Sequence, residues 1–480
     1  MCGVLGIYGS ISTLEALRIL SFLTHRGQQA SGISWINDEN KLFTKKGFNY
    51  PTNLIVNNDQ AQAFVGSTRY TTYGSRKTEN VSIDRFAQPF IADSAIGAIA
   101  TVHNGQLTNI KQLSQDEGFL SDSELICHLL AERINNANAK FPEIVLQLMN
   151  LLDGSYSEIV IINNKSNPIM LVFRDPLGIR PLIMGKINDS YIFASESIAI
   201  EQIGGKVIKD ILPGSLMILQ KDIQGKITID EHLLKDIPKK HCMFEYVYFS
   251  SPASTIDGKS VYEVRRNLGK QLGNEVKKRG IDIDFVVPVP DSSRISAQSI
   301  SETLKIPLRE AILKNRYHTS RTFILTDEKE RSIALDTKYI YVKKYIQGKK
   351  ILIVDDSIVR GSTSKKIIKR LRQMGAEKVY MASTCPPIIR PCYYGIDMSC
   401  DNDLIARNMS MCELQDLIGA DLLIYQGIGD LLEAIEMLNL CTACITGEYP
   451  TKNGRMIRKL LQQGKLDEKL PHYEQDIIIT

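Results

Sequence analysis

Residues 351–364, ILIVDDSIVRGSTS, set two adjacent carboxylates, Asp355 and Asp356, directly after an aliphatic run and ahead of Ser357, Arg360, Gly361, Ser362, Thr363 and Ser364. Gly361 lets a ligand approach the backbone closely, and the hydroxyls stand beside the unpaired N–H groups of a helix start, so a phosphate monoester fits this turn. Carboxylates do not bind phosphate directly. Asp355 and Asp356 suit the two hydroxyls of a ribose, or a hard Mg²⁺ carrying a pyrophosphate. One loop would then hold a sugar by its 5'-phosphate and its diol together. A P-loop ends in Gly-Lys-Ser/Thr, which is missing here. An acidic phosphoacceptor pocket also opens with an aliphatic strand and Asp-Asp, but no Arg-Gly-Ser-Thr turn follows it. A buried strand and a well-capped helix is the plain alternative, and it leaves much of the pattern idle.

The second chemically loaded position is Cys2. Removal of Met1 would leave this residue with a free α-amine, which can take the thiol proton directly or through a water. Cysteine at position 2 carries little weight alone. It gains weight from HRGQQASG (residues 25–32), GSTRYTTYG (66–74), AQPF (87–90) and HNGQLTN (103–109), separated by short β-rich pieces that suit layered antiparallel sheets. With these motifs, the segment from Cys2 to about residue 240 resembles a class II glutamine amidotransferase domain of the N-terminal-nucleophile hydrolase fold. The resemblance implies that the Asn104 side-chain amide and the Gly105 backbone N–H form an oxyanion hole. It implies that Arg69 holds the glutamine α-carboxylate and Asp122 its α-ammonium. Asn104–Gly105 could otherwise be a hairpin turn, and Asp122 part of a helix cap, since Ser121 and Glu124 form an S-x-x-E box. Ser67 stands where the family usually has His, and Phe86 where it has Glu; altered packing is expected there more than lost activity. The turn 174–181, RDPLGIRP, occurs in the same family and reads as structural.

The elements that must position these groups are legible in outline. Residues 351–354 read as a strand buried on both faces, and residues from Ser364 to a stop at Gly375 as an amphipathic helix, so the acidic loop lies at the carboxyl end of a parallel strand. This unit closely resembles the phosphoribosyl pyrophosphate (PRPP) motif of type I phosphoribosyltransferases. DFVVPVPDSSR (284–294) reads as a second strand ending in hydroxyls, and spacing to Asp355 makes Ser293 the better Mg²⁺ neighbour. Residues 314–350 are dense in both charges and read as a solvated loop. In the family such a loop closes over PRPP, with Arg316, Arg321 and Lys343 as candidates to meet pyrophosphate.

At 480 residues the chain is too long for one core. The expected fold is α+β followed by α/β, an N-terminal-nucleophile hydrolase αββα sandwich (2–240) and then a parallel-sheet phosphoribosyltransferase domain (241–450), with a tail, 451–480, that packs as a helix or stays mobile. Hydrophobic content of 43% with 23% charged residues is ordinary for a globular protein, and a net charge of +4 gives no support to nucleic-acid or membrane partners. No run of eighteen apolar residues occurs, so the expected location is the cytoplasm. Nine cysteines in a reducing compartment point to thiols, catalysis or metal before disulfides.

Cys242, Cys392 and the pair Cys441 and Cys444, a C-x-x-C, could by spacing ligate zinc or a [4Fe–4S] cluster. Here the resemblance decides: these positions match the cluster-bearing subgroup of the glutamine PRPP amidotransferases. Cys127, Cys385, Cys400 and Cys412 match no ligand position and read as buried small hydrophobes. The resemblance implies conversion of PRPP, glutamine and water to 5-phosphoribosylamine, glutamate and pyrophosphate, with Mg²⁺, purine nucleotide feedback inhibitors and a homotetramer. Amidotransferases making amino sugars or asparagine would carry other domains after residue 240, and a non-catalytic PRPP-sensing regulator would not need Cys2.

Overall fold

The structure is a computed structural model that describes residues 2–70, 82–114, 118–119, 121–136, 139–315 and 338–475. Arg316 and Arg321, and the side chain of Phe86, lie outside the described residues. In the first half, seven antiparallel strands run in the order Lys206–Asp210, Ile183–Ile187, Ser190–Ala194, Gly3–Ser12, Gln60–Arg69, Ala30–Asn37 and Leu42–Phe48. A second sheet of six strands runs Ile227–Leu233, Ser215–Lys221, Ile169–Arg174, Gly154–Ile162, Gly97–Leu107 and Phe90–Ser94. Strands pleat with a period of two, so each sheet turns one set of side chains inward. Val4, Tyr8, Ala63 and Val65 of the first meet Ala100, Val102, Ile159 and Ile161 of the second in one buried layer. Helices Asp122–Asn136 and Phe141–Leu151 pack on the outer face of the six-stranded sheet through Leu125, Leu130, Val145 and Leu148, giving the αββα sandwich.

The second half holds a parallel sheet of Phe285–Pro288, Lys350–Asp355, Lys378–Ser383 and Leu422–Tyr425. Its central strand is buried on both faces, as its unbroken aliphatic run predicts. Ile351 and Ile353 face helices Ser362–Gln373 and Met411–Ile418, while Leu352 and Val354 face helices Val261–Lys278 and Arg294–Leu304. The helix after the acidic loop starts at Ser362, two residues before the expected Ser364, because the hydroxyl residues themselves form its first turn; it stops ahead of Gly375, which has φ of +88°.

The two halves are not separate cores. One hydrophobic cluster joins Leu5, Leu20 and Phe64 to Tyr246, Leu268, Tyr394 and Leu431, and continues to Ile457 and Leu461 of the helix Lys452–Gln462. Tyr473 inserts into the core beneath the six-stranded sheet, so the tail to residue 475 is packed back onto the first half. Of the four cysteines expected to be buried fillers, Cys127, Cys385 and Cys400 are buried but Cys412 is exposed, since it lies on the solvent side of helix Met411–Ile418, whose apolar stripe is Leu414 and Ile418.

Candidate active site

Cys2 opens the central strand of the seven-stranded sheet and is pinned at both backbone ends. Its N–H donates to Asn104 Oδ1 at 3.1 Å, and its carbonyl accepts from Arg26 Nε at 3.2 Å. Gln88 Nε2 stands 3.8 Å from the Cys2 Sγ. Asn104 and Gly105 lie inside the strand Gly97–Leu107, opposite Ser157 and Tyr156, and are not a hairpin turn. The Asn104 Nδ2 is buried without an acceptor, a costly state for an amide donor. At Gly105 any Cβ would lie 2.0 Å from the Ser155 carbonyl, so the strand closes up only because this residue is glycine.

Arg69 ends the neighbouring strand, and its positive charge helps hold the Asp122 carboxyl below the ordinary carboxylate range. Burial opposes that shift; His103, with Nε2 3.6 Å from Asp122 Oδ2, is the larger favourable contribution. Asp122 also accepts from the backbone N–H of Leu107 at 3.2 Å, while Ser121 caps the helix by accepting from the Glu124 N–H at 3.2 Å. The capping reading of the S-x-x-E segment is observed, and it leaves the Asp122 carboxylate beside His103 and not spent on the cap. The His103 imidazole is buried, which disfavours its charged form, yet Glu158, 2.5 Å away, and Asp122 raise it well above the ordinary histidine range. Arg26, Gln88, His103 and Glu158 were not singled out in the sequence, although Glu158 is a lone carboxylate inside the apolar strand Gly154–Ile162.

The acidic loop occupies the carboxyl end of the strand Lys350–Asp355. Asp356 accepts from the hydroxyls of Ser292 and, at 2.9 Å, Ser357. The Ser293 hydroxyl, expected near the carboxylates, turns back to its own chain and donates to the Val289 carbonyl, whereas the Ser292 hydroxyl is the one that donates to Asp356. Burial first, and then the like charge of Asp356, push Asp355 well above the ordinary range, and burial raises Asp356 as well. Gly361 has φ of +68°, followed by Ser362, Thr363 and Ser364 in the first helical turn, and Arg360 reaches out to Asp403 at 2.8 Å. Lys343 lies exposed on a 3₁₀ turn. Burial and the like charge of Lys314 lower Lys338, against the opposing pull of Asp355 and Asp356, and Arg265 acts on Asp356 from another side.

Cys242 and Cys441 sit in register on a short parallel bridge, and burial, then the neighbouring thiols, disfavour the ionisation of Cys441 and Cys444. Burial pushes Cys242 up to about 11. Among the described residues, no group of three or more His, Cys, Asp or Glu side chains could hold a metal ion. One tetrahedral ion with metal–sulfur bonds of about 2.3 Å needs its thiolates nearly touching; a cubane holds them apart at its corners, and four soft, buried donors fit it. For Mg²⁺, one or two carboxylates suffice when substrate phosphates complete the shell, so the pair at 355 and 356 also fits.

The comparisons with known proteins follow the same division. A family model for a glutamine amidotransferase domain matches residues 75–202, and one for a phosphoribosyl transferase domain matches residues 257–402. The chain is 36% identical to the amidophosphoribosyltransferase of Methanocaldococcus jannaschii over 94% of its own length and 98% of the relative's. It belongs to the amidophosphoribosyltransferase family. The amidophosphoribosyltransferase of Methanothermobacter thermautotrophicus is 38% identical, covering 94% of both chains. Among solved structures, the glutamine PRPP amidotransferase of Bacillus subtilis, complexed with ADP and GMP, superposes with a TM-score of 0.82 at 32% identity, over 99% of this chain and all of that one. No helix among the described residues is long and apolar enough to cross a membrane.

Proposed function

We propose that this amidophosphoribosyltransferase aminates PRPP with nitrogen taken from glutamine, yielding 5-phosphoribosylamine, glutamate and pyrophosphate, the entry to purine biosynthesis. The observation that carries the reading is a pinned Cys2 beside the unpartnered, buried Asn104 amide, in a chain whose second half ends a central strand in a buried carboxylate pair.

Once Met1 is removed, the α-amine of Cys2 takes the thiol proton and Sγ attacks the glutamine side-chain carbonyl. Asn104 Nδ2 and the Gly105 N–H receive the charge that builds on oxygen. Arg69 and Asp122 hold the two ends of the amino acid, Asp122 being kept ionised by His103. Collapse releases ammonia and a glutamyl thioester at Cys2, which water hydrolyses. At the second site Ser362, Thr363 and the helix N–H groups seat the 5'-phosphate, with Gly361 allowing the approach and Ser357 and Arg360 flanking it. Asp355 and Asp356 orient the ribose hydroxyls and favour positive charge at C1 as ammonia attacks and pyrophosphate leaves.

Mg²⁺ bound with PRPP at Asp355 and Asp356 would neutralise the departing pyrophosphate, and a [4Fe–4S] cluster at Cys242, Cys392, Cys441 and Cys444 would tie the C-terminal segment to the start of the second half. Ser292 replaces Ser293 as the serine we place beside Mg²⁺. The reading extends to a cytoplasmic homotetramer under purine nucleotide feedback, supported by relatives that include an allosteric regulatory enzyme of purine biosynthesis. Supplying PRPP and Mg²⁺ with either glutamine or ammonia, and following pyrophosphate release, tests it. Cys2→Ser is expected to abolish the glutamine-dependent rate and leave the ammonia-dependent rate within about twofold; equal loss of both would refute the two-site scheme.

A further inference from the structure

Arg26 is fully buried and does more than donate to the Cys2 carbonyl. Its two terminal nitrogens meet Glu245 at 3.0 and 2.9 Å, and one of them also meets Glu196 at 2.5 Å. Glu196 comes from the first half and Glu245 from the second. Glu245 is held in turn by Arg180 at 3.2 Å and by the Ser250 hydroxyl at 2.6 Å. Glu196 accepts from the Ser254 hydroxyl at 2.6 Å, from the Ser251 N–H at 2.9 Å and from His25 at 2.7 Å. Both arginines and both glutamates have no solvent exposure, and their charges balance. Burial alone would raise the two carboxyls, but the guanidinium groups, with His25 at Glu196, overcome it and bring each down to about 2.

A buried pair of this kind orients its members more firmly than it stabilises the fold, because both charges lost their water to form it. The guanidinium plane is fixed by the bidentate grip of Glu245, and the remaining Nε–H direction follows from that plane. That direction ends on the carbonyl of the residue whose thiol must attack.

We propose that Glu245, supplied by the phosphoribosyltransferase half, is a positioning residue for Cys2, acting through Arg26, so that the nucleophile is correctly set only when the two halves are docked. The inference rests on the reading of Cys2 as the glutamine nucleophile. The first half thus lacks one of the two carboxylates its own arginine needs, and glutamine hydrolysis depends on a group that never touches glutamine.

The test uses the full chain with Glu245→Gln, which keeps shape but not charge, and Glu245→Asp, which keeps charge at shorter reach. The Gln variant is expected to lower glutamine-dependent kcat about ten- to a hundredfold, the scale of a small misplacement at a reacting atom. Glutamine KM and ammonia-dependent kcat stay within twofold, and the Asp variant recovers part of the loss. Labelling of Cys2 by 6-diazo-5-oxo-norleucine, a glutamine-shaped electrophile, falls in parallel and requires no PRPP. Should Glu245→Gln fail to fold, Ser250→Ala removes the hydroxyl that orients the Glu245 carboxylate at 2.6 Å and also accepts from Arg26 at 3.4 Å, leaving both charges in place, and the same split is expected at about threefold. Equal loss of glutamine and ammonia activities, or unchanged labelling, overturns the coupling. A parent chain that is not labelled at Cys2 overturns the function reading beneath it, which separates the two failures.

Discussion

At the scale of single residues, the chemistry rests on charges that burial would extinguish unless a neighbour opposed it. His103 is buried between Glu158 and Asp122, and the net effect favours imidazolium and a carboxylate at Asp122. At Asp355 burial and like charge act together, so the pair retains a proton to higher pH than ordinary carboxylates. Under the proposed function Mg²⁺ would displace that proton, and its apparent affinity in the presence of PRPP is expected to rise with pH. In Asp355→Ala, PRPP turnover is expected to fall about a hundredfold or more, the scale of losing one transition-state charge stabiliser. The pH dependence of Mg²⁺ affinity should flatten, while slow glutamine hydrolysis persists; retained pyrophosphate release would remove the carboxylate from the site. Asp355 and Asp356 were legible because they are adjacent to each other and to a run of small and hydroxyl residues. The His103–Glu158 pair was not, since the two meet only by pairing of the strands Gly97–Leu107 and Gly154–Ile162.

At the scale of elements, a segment of the second half presses on the strands Gly97–Leu107 and Gly154–Ile162, the first of which carries Asn104 and Gly105. The Tyr394 carbonyl accepts from Ser155 at 3.0 Å and from the Arg180 guanidinium, Nε at 2.9 Å. Gly395 follows with φ of +101°, and a Cβ there would lie 3.2 Å from the Gly105 carbonyl oxygen. Gly395→Ala is expected to cost about 1–3 kcal/mol in backbone strain and to push the Gly105 peptide, lowering glutamine-dependent kcat about tenfold while ammonia-dependent kcat holds. Gly419→Ala, at φ of +80° with only an Ile368 methyl 3.8 Å away, carries similar strain far from the site and serves as control. Equal kinetic effects in both variants would make the Gly395 contact irrelevant to catalysis. The turn 174–181, structural in the sequence reading, reaches further than expected: Arg174 pairs with Asp257 at 3.2 Å and Arg180 with Glu245.

For the whole molecule, the shared hydrophobic cluster and the buried arginine–glutamate network make the halves one body, and the short parallel pairing of Cys242 with Cys441 joins its C-terminal part to the start of the second half. Protein purified without oxygen is expected to be brown, with about four irons per chain. Cys444→Ala should lower the iron content and the melting temperature together, whereas a colourless preparation containing zinc would refute the cluster.

The sequence alone determined the two-part architecture and the strand, loop and helix around the carboxylate pair, and its motifs carried the resemblance from which Cys2, Arg69, Asn104 and Asp122 are proposed as the glutamine site. Those signals are local: hydrophobic period, turn residues and short motifs act over a few positions and survive without a fold. Tertiary structure decided that Ser292 rather than Ser293 faces Asp356, that Asn104 and Gly105 belong to a strand, and that Arg26 answers to a carboxylate 219 residues away. Rotamers and contacts between distant segments follow from packing, which no single stretch of chain encodes.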